Sequence, residues 1–164
     1  MVPYLDDVMD KKISSRGIPS KEAMWLPPHN STEIRAFQNN DETPTRNLWS
    51  LEEVINFIFP KKYQERYHNI AHLFLSMLYE NLYIDGHDIG KFIKEHNISK
   101  ATFYNRVLPR LKRVGMVKVE RVNVGKTKKY GPMRITLSKT FGNYLMKIAD
   151  SWLAIVDDAR TKKR

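Results

Sequence analysis

The residues of this chain that can do chemistry fall into a basic set and a histidine set. Between Ser99 and Lys139 stand twelve Lys or Arg against one acid, Glu120, in a chain whose whole balance is +10, so the rest is close to neutral. A positive field gathered on one segment draws polyanions, and polyphosphate is the commonest of them. Side chains interleaved with these cations add hydrogen-bonding specificity. Asn105 carries an amide that can pair two-pronged with an adenine edge, and Arg106 a guanidinium fork that fits guanine, while Lys100, Thr102 and Tyr104 suit phosphate oxygens or a thymine methyl group. Further on, Arg110, Lys112 and Arg113, and then Lys126, Lys128 and Lys129, suit a sugar-phosphate backbone, where a flexible stem needs no fixed geometry.

The histidine set is weaker. His68 and His72 lie four apart, a spacing that sets two imidazoles on one helix face, but no Glu stands between them where a zinc hydrolase needs one and no third ligand stands out. Two packed or surface histidines are the expectation, and no metal. His29, His87 and His96 are scattered. Glu52, Glu53 and Glu65 belong on ordinary helix surfaces, no Gly-rich loop with a Lys is present to cradle a phosphate, and Ser–His pairings lack a recognisable context. Neither an enzyme nor a cofactor is expected. The chain has no Cys, which removes disulfides and thiolate metal sites and fits an intracellular address.

The basic set needs an element to hold it. Ser99 can cap a helix over 99–114 in which Phe103, Val107, Leu111 and Val114 form a buried stripe, leaving Lys100, Ala101, Thr102, Tyr104, Asn105 and Arg106 to begin the outer face. Tyr104 fits core packing beside Phe103 equally well. Pro109 falls inside this helix, where it deletes the hydrogen bond to the Asn105 carbonyl and should bend the axis. Gly115 ends it, and 116–122 and 130–137 read as antiparallel strands joined by a basic loop over 123–129 that includes Gly125 and Thr127.

Upstream, 88–96 reads as a short helix through Ile89, Phe92 and Ile93, followed by a turn at 97–99 with Ile98 pointing inward. Before it, 62–83 carries a broad apolar face from Tyr67 through Phe74 to Leu82, the core helix of the domain. Ser50 and Glu53 have capping-box spacing and open a helix that stops before Pro60. Downstream, 138–162 carries Phe141, Leu145, Ile148, Trp152, Ile155, Val156 and Ala159 at close to a seven-residue repeat. That stripe must be covered, either by a second copy, the expectation here, or by the chain's own 67–82 helix. Residues 1–49, with Pro3, Pro19, Pro27, Pro28 and Pro44, read as an arm that is partly extended or disordered, with Trp25, Leu26 and Phe37 as apolar anchors to a partner subunit or to its own domain. The organisation expected is an arm over 1–49, a domain over 50–137, and a terminal helix with a basic tail over 138–164.

The run Ile98-Ser99-Lys100-Ala101-Thr102-Phe103-Tyr104, followed by Leu108-Pro109-Arg110-Leu111 and Val114-Gly115-Met116-Val117, resembles the recognition helix and first wing strand of winged-helix transcriptional regulators such as the MarR-like and PadR-like groups. The resemblance covers roughly 67–137 and stays at the level of the superfamily. It implies a mainly α fold with a small antiparallel β-wing, and a terminal helix that builds a two-fold dimer so that two recognition helices face successive major grooves. The contacts to double-stranded DNA then run from Ser99, Lys100, Ala101, Thr102, Tyr104, Asn105 and Arg106 through Arg110, Lys112 and Arg113 to the wing residues Lys126, Thr127, Lys128, Lys129 and Arg134.

Two functions compete. The first is a dimeric regulator of transcription reading duplex sequence; the second is an adaptor or architectural protein of replication or transcription machinery that binds nucleic acid or protein without sequence preference. An RNA-binding protein is disfavoured, because no aromatic platform stands on the strands. Nothing in the sequence specifies a small-molecule effector. No apolar run approaches the roughly 20 residues that span a bilayer, and Asp6, Asp7 and Asp10 stand where a signal peptide is apolar, so a cytoplasmic, nucleoid-associated protein without membrane contact is expected.

Overall fold

In the computed structural model, which describes residues 24–29, 48–122 and 131–162, the first helix is set by its cap. Ser50 Oγ accepts from the Glu53 amide at 3.3 Å and Glu53 Oε2 accepts from the Ser50 amide at 2.7 Å, so two orphan donors are satisfied where α1 (Leu51–Ile55) begins. α1 stops short of Ile58, because the chain turns at Asn56 and carries Ile58 and Phe59 into the core. α2 (Lys61–Glu80) is the central helix and buries Ile70, Ala71, Phe74, Leu75 and Leu78. It is broken at Gln64, whose φ of −134° and ψ of 49° are not helical. It also ends before Leu82, which is 89% exposed and no part of the apolar face expected of it.

The residues that follow that helix have two jobs. Ile84 and Asp85 form β1 (Ile84–Asp85), and Asp85 caps α3 (Gly86–Glu95). Asp85 Oδ1 accepts from the Asp88 amide at 2.8 Å while Asp88 Oδ2 accepts from the Asp85 amide at 3.2 Å, which starts the helix two residues earlier than expected. With β2 (Val117–Arg121) and β3 (Met133–Leu137), β1 completes a three-stranded antiparallel sheet in the order β1-β3-β2. Ile84, Ile135 and Val119 share one row of the register and turn to the core; Asp85, Arg134 and Glu120 share the next row. The fold is mainly helical with a small antiparallel sheet.

The final helix, α4 (Thr140–Lys162), is rooted but not covered. The Phe141 amide donates to the Gly115 carbonyl and the Ser138 amide to the Met116 carbonyl, each at 2.9 Å. Gly115 has φ of 88°, and a Cβ on it would lie 2.9 Å from Thr140 Cγ2 and 3.0 Å from the Phe141 nitrogen, so both handedness and close approach require glycine there. Phe141 packs against the core, but no residue of α4 is buried, and Ile148 and Trp152 are 53% and 63% exposed. The alternative in which this helix folds back along α2 is not the one adopted.

Most of the arm lies outside the described residues, Phe37 included. Trp25 does act as an anchor, and on its own domain: its amide donates to the Phe57 carbonyl at 2.6 Å and its ring stands edge-on to Tyr63 at 5.7 Å. Leu26 is 72% exposed and does not pack on its own domain.

Candidate nucleic-acid interface

The basic segment is held by three phenylalanines and a turn. Phe103 lies 4.9 Å from Phe74 of α2 and 6.0 Å from Phe92 of α3, and Phe74 and Phe92 lie 5.7 Å apart, so one aromatic cluster fixes three helices together. α3 ends in a left-handed residue, Asn97 with φ of 50°. The Ile98 amide then donates to the Ile93 carbonyl at 2.9 Å and the Asn97 amide to the Lys94 carbonyl at 3.3 Å, a Schellman closure that turns the chain and points it into the next helix. Ser99 stands at the cap position in extended conformation, but its hydroxyl makes no capping bond.

From Lys100 to Val114 the chain is not one regular α-helix. α5 (Lys100–Thr102) runs into a π-helical turn at Phe103–Val107 and then into α6 (Leu108–Val114). The Leu108 amide reaches back five residues to the Phe103 carbonyl. Pro109 explains the widened turn: its ring would collide with the carbonyl four residues back and it has no N–H to offer that carbonyl, so one extra residue in the turn relieves the clash. The bend expected at Pro109 thus takes the form of a π-bulge. Adjacent Val107 and Leu108 both point inward at the end of this turn, while Tyr104, Asn105 and Arg106 stand outside, as the Phe103–Val107 stripe leads one to expect.

Ser99, Lys100, Ala101, Lys112 and Arg113 are also exposed, and Thr102 is half-buried. Tyr104 stands with its ring edge-on to Phe103 at 5.2 Å and is 38% exposed. Among the described residues, no acid lies within ion-pairing distance of Lys100, Arg106, Lys112 or Arg113.

Arg110 departs from its expected place. It is buried to 9% exposure, its guanidinium carbon lies 5.2 Å over the Phe59 ring, and Nη1 donates to the Ile58 carbonyl at 3.5 Å and to Gln64 Oε1 at 3.4 Å. A side chain so enclosed is not available to a phosphate, so Arg110 leaves the contact set. The signal was present in the spacing: Arg110 follows Phe103 by seven and Val107 by three, which puts it on the buried face, and its charge outweighed that periodicity. Gln64, the break in α2, is the residue that receives it.

Arg134 is half-buried in the sheet row shared with Asp85 and Glu120, its guanidinium stacked 4.0 Å over Tyr83. Lys126, Thr127, Lys128 and Lys129 lie outside the described residues. Sequence reasoning did not single out Lys118 and Arg121 on β2, both exposed; Lys118 pairs with Glu120, and Arg121 Nη1 donates to the Gly131 carbonyl at 3.4 Å.

The two histidines part company. His68 is 1% exposed and its Nδ1 lies 2.9 Å from the Phe59 carbonyl, which requires the hydrogen on Nδ1; Nε2 is buried without a hydrogen-bond partner, 3.8 Å from Glu52 Oε1. Burial pushes the imidazole below the ordinary histidine pKa, against the opposing pull of the Phe59 carbonyl and Glu52. His72 is half-buried. Among the described residues no three His, Cys, Asp or Glu side chains gather as a metal site requires. No described helix is long and apolar enough to cross a membrane.

Set against protein-family models, curated proteins and solved structures, the chain gives no significant match.

Proposed function

We propose that the chain is a winged helix-turn-helix protein that binds duplex DNA as a dimer and regulates transcription. In this reading α3 and the segment Lys100–Val114 are the two helices, and β2 and β3 are the stem of the wing. The observation that carries it is that Tyr104, Asn105 and Arg106 stand together on the outer surface of a helix anchored by Phe103, Val107 and Leu111, in a turn that is π-helical. Amide and guanidinium groups on a rigid, buried-backed helix are the chemistry that reads base edges, and π-bulges recur at functional sites. Lys100, Lys112 and Arg113 supply unneutralised cations for the flanking phosphates. The uncovered apolar face of α4 supports a second copy as the partner that completes the protein.

The test is a duplex selected from a random pool, titrated beside a scrambled duplex of the same length across a salt series. A sequence reader binds the selected duplex about a thousandfold tighter or more, with both affinities falling steeply as salt rises. Equal affinities for the two duplexes at every salt would assign the basic face to an adaptor without sequence preference.

A further inference from the structure

We infer that α4 pairs with α4 of a second copy in antiparallel orientation, with Phe141 opposite Ala159, Leu145 opposite Ile155 and Ile148 opposite Trp152 of that copy. The inference rests on the dimer in the function proposed above and adds the direction and register of its seam.

The spacing of Phe141, Leu145, Ile148, Trp152, Ile155 and Ala159 alternates four and three, the seam of a two-stranded coiled coil. These residues differ widely in size, and the order of sizes carries direction. Antiparallel, the largest faces a medium side chain and the aromatic Phe141 faces the smallest, so the layers differ less in cross-section than they would in a parallel pair. Parallel, Trp152 meets Trp152 and Ala159 meets Ala159, which forces the helices apart at the middle and leaves a void at the end. Sliding the antiparallel pair by one heptad leaves two of the six seam residues on each helix without a counterpart.

The flanks agree. Beside the seam stand Gly142, Ala149 and Val156 on one side and Tyr144, Ser151 and Asp158 on the other, so no like charges oppose one another, and the Asp158 carboxylate comes opposite the Tyr144 hydroxyl. Val156 of the second copy arrives over Gly142, where nothing lies within 4 Å of a built Cβ. That point is the mouth of an apolar groove lined by Leu51, Val54, Met116, Leu137 and Phe141. The two domains leave the seam at opposite ends, their Phe141 residues about 27 Å apart along the axis at 1.5 Å per residue.

The absence of cysteine from the chain makes single introduced thiols unambiguous reporters. Ala149 lies beside the two-fold axis of the inferred pair and Ala159 at its end. In the full-length protein treated with a short thiol–thiol cross-linker, A149C is expected to become a covalent dimer and A159C to remain a single chain. Cross-linking of A159C, with or without A149C, overturns the antiparallel register. A protein that sediments as a dimer but is cross-linked at neither position overturns the seam while leaving the dimer in place. Sedimentation of the wild-type chain as a monomer removes the pairing altogether, and selective duplex binding by that monomer would leave the nucleic-acid reading standing.

Discussion

Arg110 and its neighbours Lys112 and Arg113 carry the same charge and do different work. The Arg110 guanidinium ties α6 to the α1–α2 junction through the Ile58 carbonyl, Gln64 and the Phe59 ring, so Arg110→Ala is expected to lower unfolding free energy by about 2 kcal/mol in urea denaturation. Lys112→Ala or Arg113→Ala is expected to leave stability within about 0.5 kcal/mol and to reduce the slope of log affinity against log salt by about 0.9 for each phosphate contact removed. A lowered salt slope for Arg110→Ala, with stability intact, would return it to the surface. His68 gives a second prediction, in pH. Its folded pKa lies below the ordinary value of 6.5, so the unfolded chain takes up the proton first as pH falls. The stability it contributes is therefore present above about pH 6.5 and lost as pH falls toward and through the lower folded value. Between about pH 7.5 and pH 5.5, the wild-type melting temperature should drop further than that of His68→Gln, and parallel curves would show that this proton is not linked to unfolding.

Among the elements, those with local causes were legible and those with distant causes were not. Ser50 and Glu53 announce α1, and Gly115 announces both the end of α6 and the strand after it, because caps act within one turn. β1 was not legible: two residues have no periodicity, and Ile84 becomes a strand only because Ile135, far along the chain, pairs with it. The site helix falls between. Pro109 marks a disturbance in the sequence, but the choice between a kink and a π-bulge depends on whether Val107 and Leu108 can both be buried, which is decided by α2 and α3. Pro109→Ala restores the N–H and removes the ring, so the turn can close to α and rotate Tyr104, Asn105 and Arg106 by up to about 100° relative to α6. The expected outcome is a folded protein within about 1 kcal/mol of wild type that binds the selected duplex about tenfold less tightly, a loss of about 1.4 kcal/mol. Unchanged affinity for that duplex would mean that the bulge does not present these side chains.

For the molecule as a whole, the concentrated charge and the long apolar stripe were visible in the sequence, whereas the uncovered state of that stripe was not. The repeat Phe141 to Ala159 is also compatible with a helix folded back on its own domain, and the Gly115–Phe141 and Met116–Ser138 hydrogen bonds root the helix where it leaves the domain. Replacing Ile148 and Trp152 together with Glu places four carboxylates at the centre of the proposed seam, and sedimentation should then show monomers that keep their helical content and melting transition. A persistent dimer would locate the interface elsewhere. The central claim, that Asn105 on the π-bulge reads sequence, is tested most directly by titrating Asn105→Ala against the selected and scrambled duplexes at one salt concentration. The account predicts a loss of about 1–3 kcal/mol on the selected duplex and none on the scrambled one. An equal loss on both, or no loss on either, would contradict it.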